Sequence, residues 1–285
     1  MTSPPYGFSQ PGNCHRIALA VHDVPGAMEQ WQTVFGAGVM FEHVHDDLDG
    51  SDMGMVWMGN VPFLALGASD PNGTVGRWLH KNGPGVQSLA WEVPDMWAAQ
   101  NYLQQMGTGI TGVHVPGRHF FMHPRDTFGL MLELTDDRLP GDPRQGLSPV
   151  GGGDGALNVL GVARVNSVVV DLEPVTTLFG QVFGAEPRAV DDGGPETVVD
   201  FHIGDLTLRV LAPHDDSSEW HTIVTGGRGT LHSVTLAVHL DSAIPALGAA
   251  GIRVARERPG SLWLDPADTA GVRLELIDAR GLDSR

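Results

Sequence analysis

The chain has 285 residues, enough for two ordinary domains and a sizeable core. With 41% hydrophobic and 18% charged residues it has globular composition, which excludes a disordered chain. Acidic residues outnumber basic ones 34 to 17, and the formal charge of −17 repels a phosphate backbone, so nucleic acid is excluded as a partner.

The opening "MTSPPYGFSQPGN" has no basic start and no apolar run of signal-peptide length, and the single Cys14 cannot close an internal disulfide. No stretch reaches the apolar length of a membrane span. These features lead to the expectation of a soluble, cytoplasmic protein with no membrane partner. "RIALAVHDVPGAMEQWQTVFG" then alternates apolar residues at Ile17, Leu19 and Val21 and changes to helical spacing at Val24, Met28, Trp31 and Phe35. The short stretches "MGMVWMG" and "VPFLALGA" read as strands. "SLAWEVPDMWAAQNYLQQMG" repeats the strand, turn and helix with Leu89, Trp91 and Val93, then Met96, Ala99, Leu103 and Met106, and periodicity puts both Trp91 and Trp97 in the core. A hairpin, "HVPGRHFFMHPRD", carries His114, His119 and His123 and leads into "DTFGLMLELTD" at 126–136.

The same order of elements then returns. "VFGA" at 34–37 recurs at 182–185, and "DTAGVRLELID" at 268–278 repeats the last strand of the first copy. Between the copies, "LPGDPRQGLSPVGGGDGALNVLG" has no periodic apolar face and reads as an exposed linker. Its glycine cluster follows no strand and does not fit a phosphate-binding spacing. The expected domains are therefore residues 12–139 and 162–280, joined by residues 140–161, and each holds two strand-helix-strands units.

On these residues the chain resembles the vicinal oxygen chelate superfamily, which includes glyoxalases, methylmalonyl-CoA epimerases, type I extradiol dioxygenases and bleomycin-resistance proteins. The resemblance implies an α+β fold of two tandem domains, each a pair of βαβββ units forming an eight-stranded, cup-shaped mixed sheet with helices outside. Family enzymes hold one divalent metal with side chains from the first, fourth, fifth and eighth strands of a domain. The recognisable ligands are a His in "HxxxxVxD", a His in "GxxHxAFxV" and the Glu of the closing "LEL".

Aligned on those motifs, Arg16 and Arg164 stand at the first His, Leu64 and Arg209 at the fourth-strand ligand, and Ser88 and Ser233 at the second His. Only Glu133 and Glu275 match. No metal is therefore expected. The alternative is one divalent ion (Fe, Mn, Zn or Ni) on His15, Gln87 and Glu133, which needs a strand bulge to turn His15 inward. "HVHDD" at 43–47 reads as a solvated loop.

The inward set of the first copy reads Arg16, Ala18, Ala20, Ser88, Ala90, Glu92, Met131 and Glu133, and an ion pair between Arg16 and Glu133 is expected. In the second copy it reads Arg164, Asn166, Val168, Arg209, Ser233, Thr235, Arg273 and Glu275, with Glu275 meeting Arg164, Arg209 or Arg273 and a surplus of positive charge suited to an anionic group. The expected function is proton transfer in a lyase, isomerase or hydrolase reaction on a small organic substrate, anionic or aromatic. Glu133, Arg16, His119 and His123 are the candidate catalytic groups, and Ser88, Trp57, Arg164, Arg209 and Glu275 the candidate binding groups. A metal-dependent dioxygenase or glyoxalase and a non-catalytic drug-binding protein are the alternatives, and a homodimer stays open.

Overall fold

The fold is described from a computed structural model over residues 8–46, 50–113, 116–191 and 193–281. His114 and Asp47 lie outside the described residues. The first copy runs β1 (Cys14–Ala20), α1 (Val24–Thr33), β2 (Gly38–Asp46), β3 (Ser51–Met58), β4 (Val61–Ala68), α2 (Thr74–Asn82), β5 (Gly85–Glu92), α3 (Met96–Gln105), β6 (Ile110–Thr111), β7 (His119–Met122) and β8 (Leu132–Thr135). The second copy repeats it as β9 (Gly161–Val168), α4 (Leu172–Phe183), β10 (Arg188–Asp191), β11 (Glu196–Ile203), β12 (Leu206–Pro213), α5 (His221–Val224), β13 (Thr230–Val238), α6 (Leu240–Ala249), β14 (Val254–Arg258), β15 (Ser261–Leu264) and β16 (Leu274–Asp278). Each copy forms one eight-stranded mixed sheet, in the orders β2-β3-β4-β1-β5-β8-β7-β6 and β10-β11-β12-β9-β13-β16-β15-β14.

Strand alternation sorts the two faces of each sheet. In the first copy, α1 buries Val24, Ala27, Met28 and Trp31. Gly54 and Gly67 make room for Met28 and Val24, since a Cβ at either would collide with those side chains. Trp31 meets Phe63 edge to face, with centroids 6.2 Å apart. Residues of the opposite parity form the inner face. There Ala18, Met40, Met55, Leu64 and Leu139 make a buried cluster, flanked by the partly buried Phe41, Met53, Trp57 and Leu66.

By packing, the chain divides into two compact units that do not coincide with the two copies. Among the described residues, one contains residues 8–15, 88–138 and 164–232, and the other residues 16–87, 139–163 and 233–281. Each therefore takes one βαβββ element set from each copy. In the first unit Trp91 of β5 packs on Phe183 of α4 at 5.0 Å and donates from Nε1 to the Ile203 carbonyl at 3.4 Å, while Tyr102 Oη donates to the Gln181 carbonyl at 3.0 Å. Burial raises the Tyr102 hydroxyl above its ordinary pKa. In the second unit Gln30 Nε2 of α1 donates to the Asp268 carbonyl at 2.7 Å, and Asn60 Oδ1 accepts from the Val162 backbone at 2.8 Å.

The duplicated Asp-Thr-x-Gly turn lies at these junctions. In both copies the third residue has a left-handed backbone, Phe128 at φ 58° and Ala270 at φ 53°. The threonine is fully buried and its hydroxyl donates to a carbonyl three residues on, Thr127 to Leu130 and Thr269 to Val272, the latter at 2.6 Å. The following glycine touches the other copy just before its fifth strand. A Cβ at Gly129 would strike the Gly229 backbone, and one at Gly271 would strike Pro84.

Two expectations are corrected, those for Trp97 and for His43 and His45. The segment between the copies is largely exposed and is also tied to the first copy by backbone hydrogen bonds. Val39 and Val150 exchange backbone hydrogen bonds of 2.8 and 2.7 Å, and Gly153, Ala156 and Leu157 donate to the carbonyls of Gly36, Thr33 and Val34. Its glycines serve this close approach, since a Cβ at Gly155 would collide with the Gly36 backbone. Trp97 is 57% exposed, because it stands in the first turn of α3, on the side away from the buried Met96, Ala99, Tyr102 and Leu103. His43 and His45 lie on β2, not in a loop, and flank Asp52 at 3.3 and 3.0 Å.

Candidate functional site

In the first copy Glu133 is fully buried at the centre of the short β8. The parallel pairing sets it beside Ala90 of β5, and the antiparallel pairing sets it opposite Phe121 of β7. Trp91, the neighbour of Ala90, faces the helices, so Glu133 belongs to the inner face with Ser88 and Ala90. His119 is one pair further along, opposite Thr135, and half-buried. The structure thus brings Glu133, Ser88 and His119 to one face. His123 is in the turn beyond β7, where its Nδ1 accepts from the Arg125 backbone at 3.1 Å, a local capping bond. Arg16 is half-buried on β1.

Trp57 belongs to the other compact unit, in the apolar set around Met55 and Leu64. Its Nε1 donates to the Gly59 carbonyl at 2.9 Å, and the Arg144 guanidinium lies 5.4 Å from its ring centroid. Arg144 is held by the fully buried Asp142, Nη2 to Oδ2 at 2.9 Å.

The second copy is polar at the corresponding positions. Arg209 of β12 pairs in register with Asn166 of β9 and with Asp200 of β11. Phe201 meets Phe179 of α4, so Asp200 points to the inner face. Arg209 binds Asp200 through two hydrogen bonds, Nε to Oδ1 at 2.8 Å and Nη2 to Oδ2 at 2.9 Å. Arg164, two residues before Asn166 on the same face, donates from Nε to Asn166 Oδ1 at 3.2 Å. Arg164, Asn166 and Asp200 are all buried. His202, two residues beyond Asp200, is exposed and lies 2.9 Å from the Thr207 hydroxyl. Glu275 of β16 is paired with Thr235 of β13 and accepts from its hydroxyl at 2.7 Å.

Of the three arginines expected for Glu275, Arg209 meets Asp200, because the Gly204–Asp205 turn fixes the hairpin register that sets these two residues opposite each other. Arg273 is exposed and immediately precedes β16.

The donor set does not fit the divalent metal that the fold family implies. In each copy the four aligned positions supply one carboxylate, and an arginine stands where an imidazole would be needed. Leu64 is packed in the apolar cluster. His15 is buried with Nε2 3.0 Å from the Asp137 carbonyl, and Gln87 is buried with no hydrogen-bond partner for Oε1. Among the described residues no group of three or more His, Cys, Asp or Glu side chains is arranged to hold a metal ion.

Residues 15–120 match the profile of the Glyoxalase/Bleomycin resistance protein/Dioxygenase superfamily. A curated relative, the ethylmalonyl-CoA/methylmalonyl-CoA epimerase of Cereibacter sphaeroides, is 28% identical over 130 residues, which cover 43% of this chain and 96% of the relative. A triple mutant of 4-hydroxymandelate synthase from Streptomyces coelicolor superposes over 94% of this chain and 92% of its own with a TM-score of 0.70 at 14% identity. A xylose isomerase-like TIM barrel/4-hydroxyphenylpyruvate dioxygenase fusion protein superposes over 97% of this chain and 50% of its own with a TM-score of 0.61 at 13% identity. The paired eight-stranded sheets thus share the tandem fold of these neighbours, and residues 15–120 carry the similarity to the Glyoxalase/Bleomycin resistance protein/Dioxygenase superfamily.

Proposed function

We propose that the protein is a small-molecule enzyme that transfers protons at an acidic carbon of an organic acid or thioester, without the metal quartet usual in its superfamily. The observation that carries this reading is Glu133, a carboxylate fully buried on an inner sheet face beside the small Ser88 and Ala90. An ionisable group kept in such a place costs stability unless it is partnered, and such groups concentrate at catalytic sites. Glu133 takes the proton from carbon and returns it. Ser88 holds the substrate beside it, and His119, on the same face, is the second proton-transfer group. The epimerase relative supports the reaction class, because inversion at a carbon needs a proton to leave and return.

The test is deuterium exchange at the acidic carbon of a 2-substituted malonyl thioester, followed by proton NMR in D2O with a chelator present. The wild-type protein is expected to catalyse exchange, and Glu133→Gln to keep its fold and slow exchange by about 10²-fold or more. Exchange that stops on chelation and returns with Fe, Mn, Zn or Ni, or that is unchanged in Glu133→Gln, overturns the reading.

A further inference from the structure

We propose that the inner face of the second copy is a binding site for a small organic carboxylate, received by Arg209. This goes beyond the proton-transfer reading, which places its chemistry in the first copy.

The argument rests on an internal comparison that duplication makes available. Strand register equates Ala18, Leu64 and Met55 of the first copy with Asn166, Arg209 and Asp200 of the second, since Leu64 pairs with Ala18 and Met55, and Arg209 with Asn166 and Asp200. The same scaffold therefore packs these three positions with apolar side chains in one copy. Polar residues there are not required by the fold. A buried ion pair recovers little of its desolvation cost, and apolar residues of similar volume in its place are often neutral or stabilising. Retention of the pair in one copy alone points to a ligand.

The geometry names the ligand. A guanidinium has two edges that match a carboxylate. Asp200 occupies the edge formed by Nε and Nη2. The other edge, Nη1 with the second N–H of Nη2, makes no hydrogen bond to a described residue. The Arg209 side chain retains 16% of its exposure, so it is not sealed from solvent while the fork itself is fixed by Asp200. Asp200 is a positioning residue that holds the fork, and the Asn166 amide borders the same face. A planar carboxylate fits such an edge with two parallel hydrogen bonds.

Binding of malonate and benzoate to the full chain, measured by titration calorimetry at low salt, tests the proposal, with benzamide and inorganic phosphate as comparators. Saturable binding of a carboxylate is expected, with benzamide silent. Arg209→Lys keeps the charge and removes the fork, and is expected to weaken binding at least tenfold. The triple variant Asn166→Ala, Asp200→Met, Arg209→Leu carries the first copy's residues. It is expected to fold with a cooperative melt and to lose carboxylate binding. Glu133→Gln is expected to bind carboxylate as wild type does, whatever its effect on exchange, so that failure of either reading is seen separately. In the wild-type protein, the Arg209 side-chain N–H resonances should shift on adding malonate. Equal affinity in Arg209→Lys, equal binding of benzamide, tighter binding of phosphate, or no carboxylate binding at millimolar concentration overturns the proposal.

Discussion

The indole of Trp91 and the ring of Phe183 lie 5.0 Å apart, centroid to centroid, and so a strand of the first copy shares its core with a helix of the second. Both side chains are buried, and the nearby Phe179 extends the cluster to Phe201 at 4.9 Å. Sequence repeats and packing units thus follow different boundaries.

Trp91→Ala is expected to cost about 3–5 kcal/mol, the range for truncating a large buried aromatic side chain. Because the cavity opens in a core built from both copies, denaturant unfolding should shift as one transition. A transition confined to residues of the first copy, with the second copy's helices still protected, would show that the copies are independent folding units.

The left-handed residue of the duplicated turn gives a prediction of opposite sign. Ala270 sits at φ 53°, a region that costs a residue with a Cβ about 1–2 kcal/mol. Ala270→Gly relieves that strain and adds unfolded-state entropy. A net gain of up to about 1 kcal/mol is expected in a thermal melt. A loss of similar size would mean that the Ala270 methyl group contributes more by packing than its backbone loses.

A matched pair of substitutions tests the role of the glycine-rich segment. Gly155→Ala places a methyl group against the Gly36 backbone and should cost about 1–3 kcal/mol, as overpacking does. Gly248→Ala, in the exposed face of α6 with nothing near its added methyl group, should gain about 0.5–1 kcal/mol. Equal effects in the two variants would show that the segment yields easily.

Acid dependence should report on the end of the second copy. Hydrogen bonds from the Arg280 side chain and backbone hold the Asp278 carboxyl down at about 2, against an ordinary 3.8. Its contribution is fully present above the ordinary value and is lost as pH falls through the depressed one. Arg253, through its side chain and backbone, likewise lowers Asp268. Melting temperature should therefore fall between about pH 4 and pH 2, and Asp278→Asn should make that fall shallower. An unchanged acid limb in Asp278→Asn would place the effect elsewhere.

Alternation and repeat spacing were enough to read the recurring strand-helix-strands units along the chain and the burial of Trp91, whereas the eight-stranded sheets and the inner positions of Ala18, Ser88 and Glu133 came from the family motifs. Trp97 escaped because its aromatic character was weighed over its position, one residue after Met96 and off the face that Ala99 and Leu103 share. Asp200 and His202 were missed although a signal existed. The "GD" turn between "VVDFHI" and "LTLRVL" fixes a hairpin register, and counting back from it sets Asp200 across from Arg209. The hybrid packing units had no local signal, since they depend on contacts between residues about a hundred positions apart, such as Trp91 with Phe183 and with the Ile203 carbonyl.

The reciprocal seating of Gly129 against Gly229 and of Gly271 against Pro84 has a consequence for concentration. Were the two copies separate chains, this pairing would be an association that dilution could reverse. Joined through one continuous backbone, the halves meet at an effective concentration set by the connecting segment, in the millimolar range for a short link, and the amount of protein in solution no longer matters. The chain is in this sense a dimer that cannot dissociate, and each half can diverge without having to recognise a copy of itself.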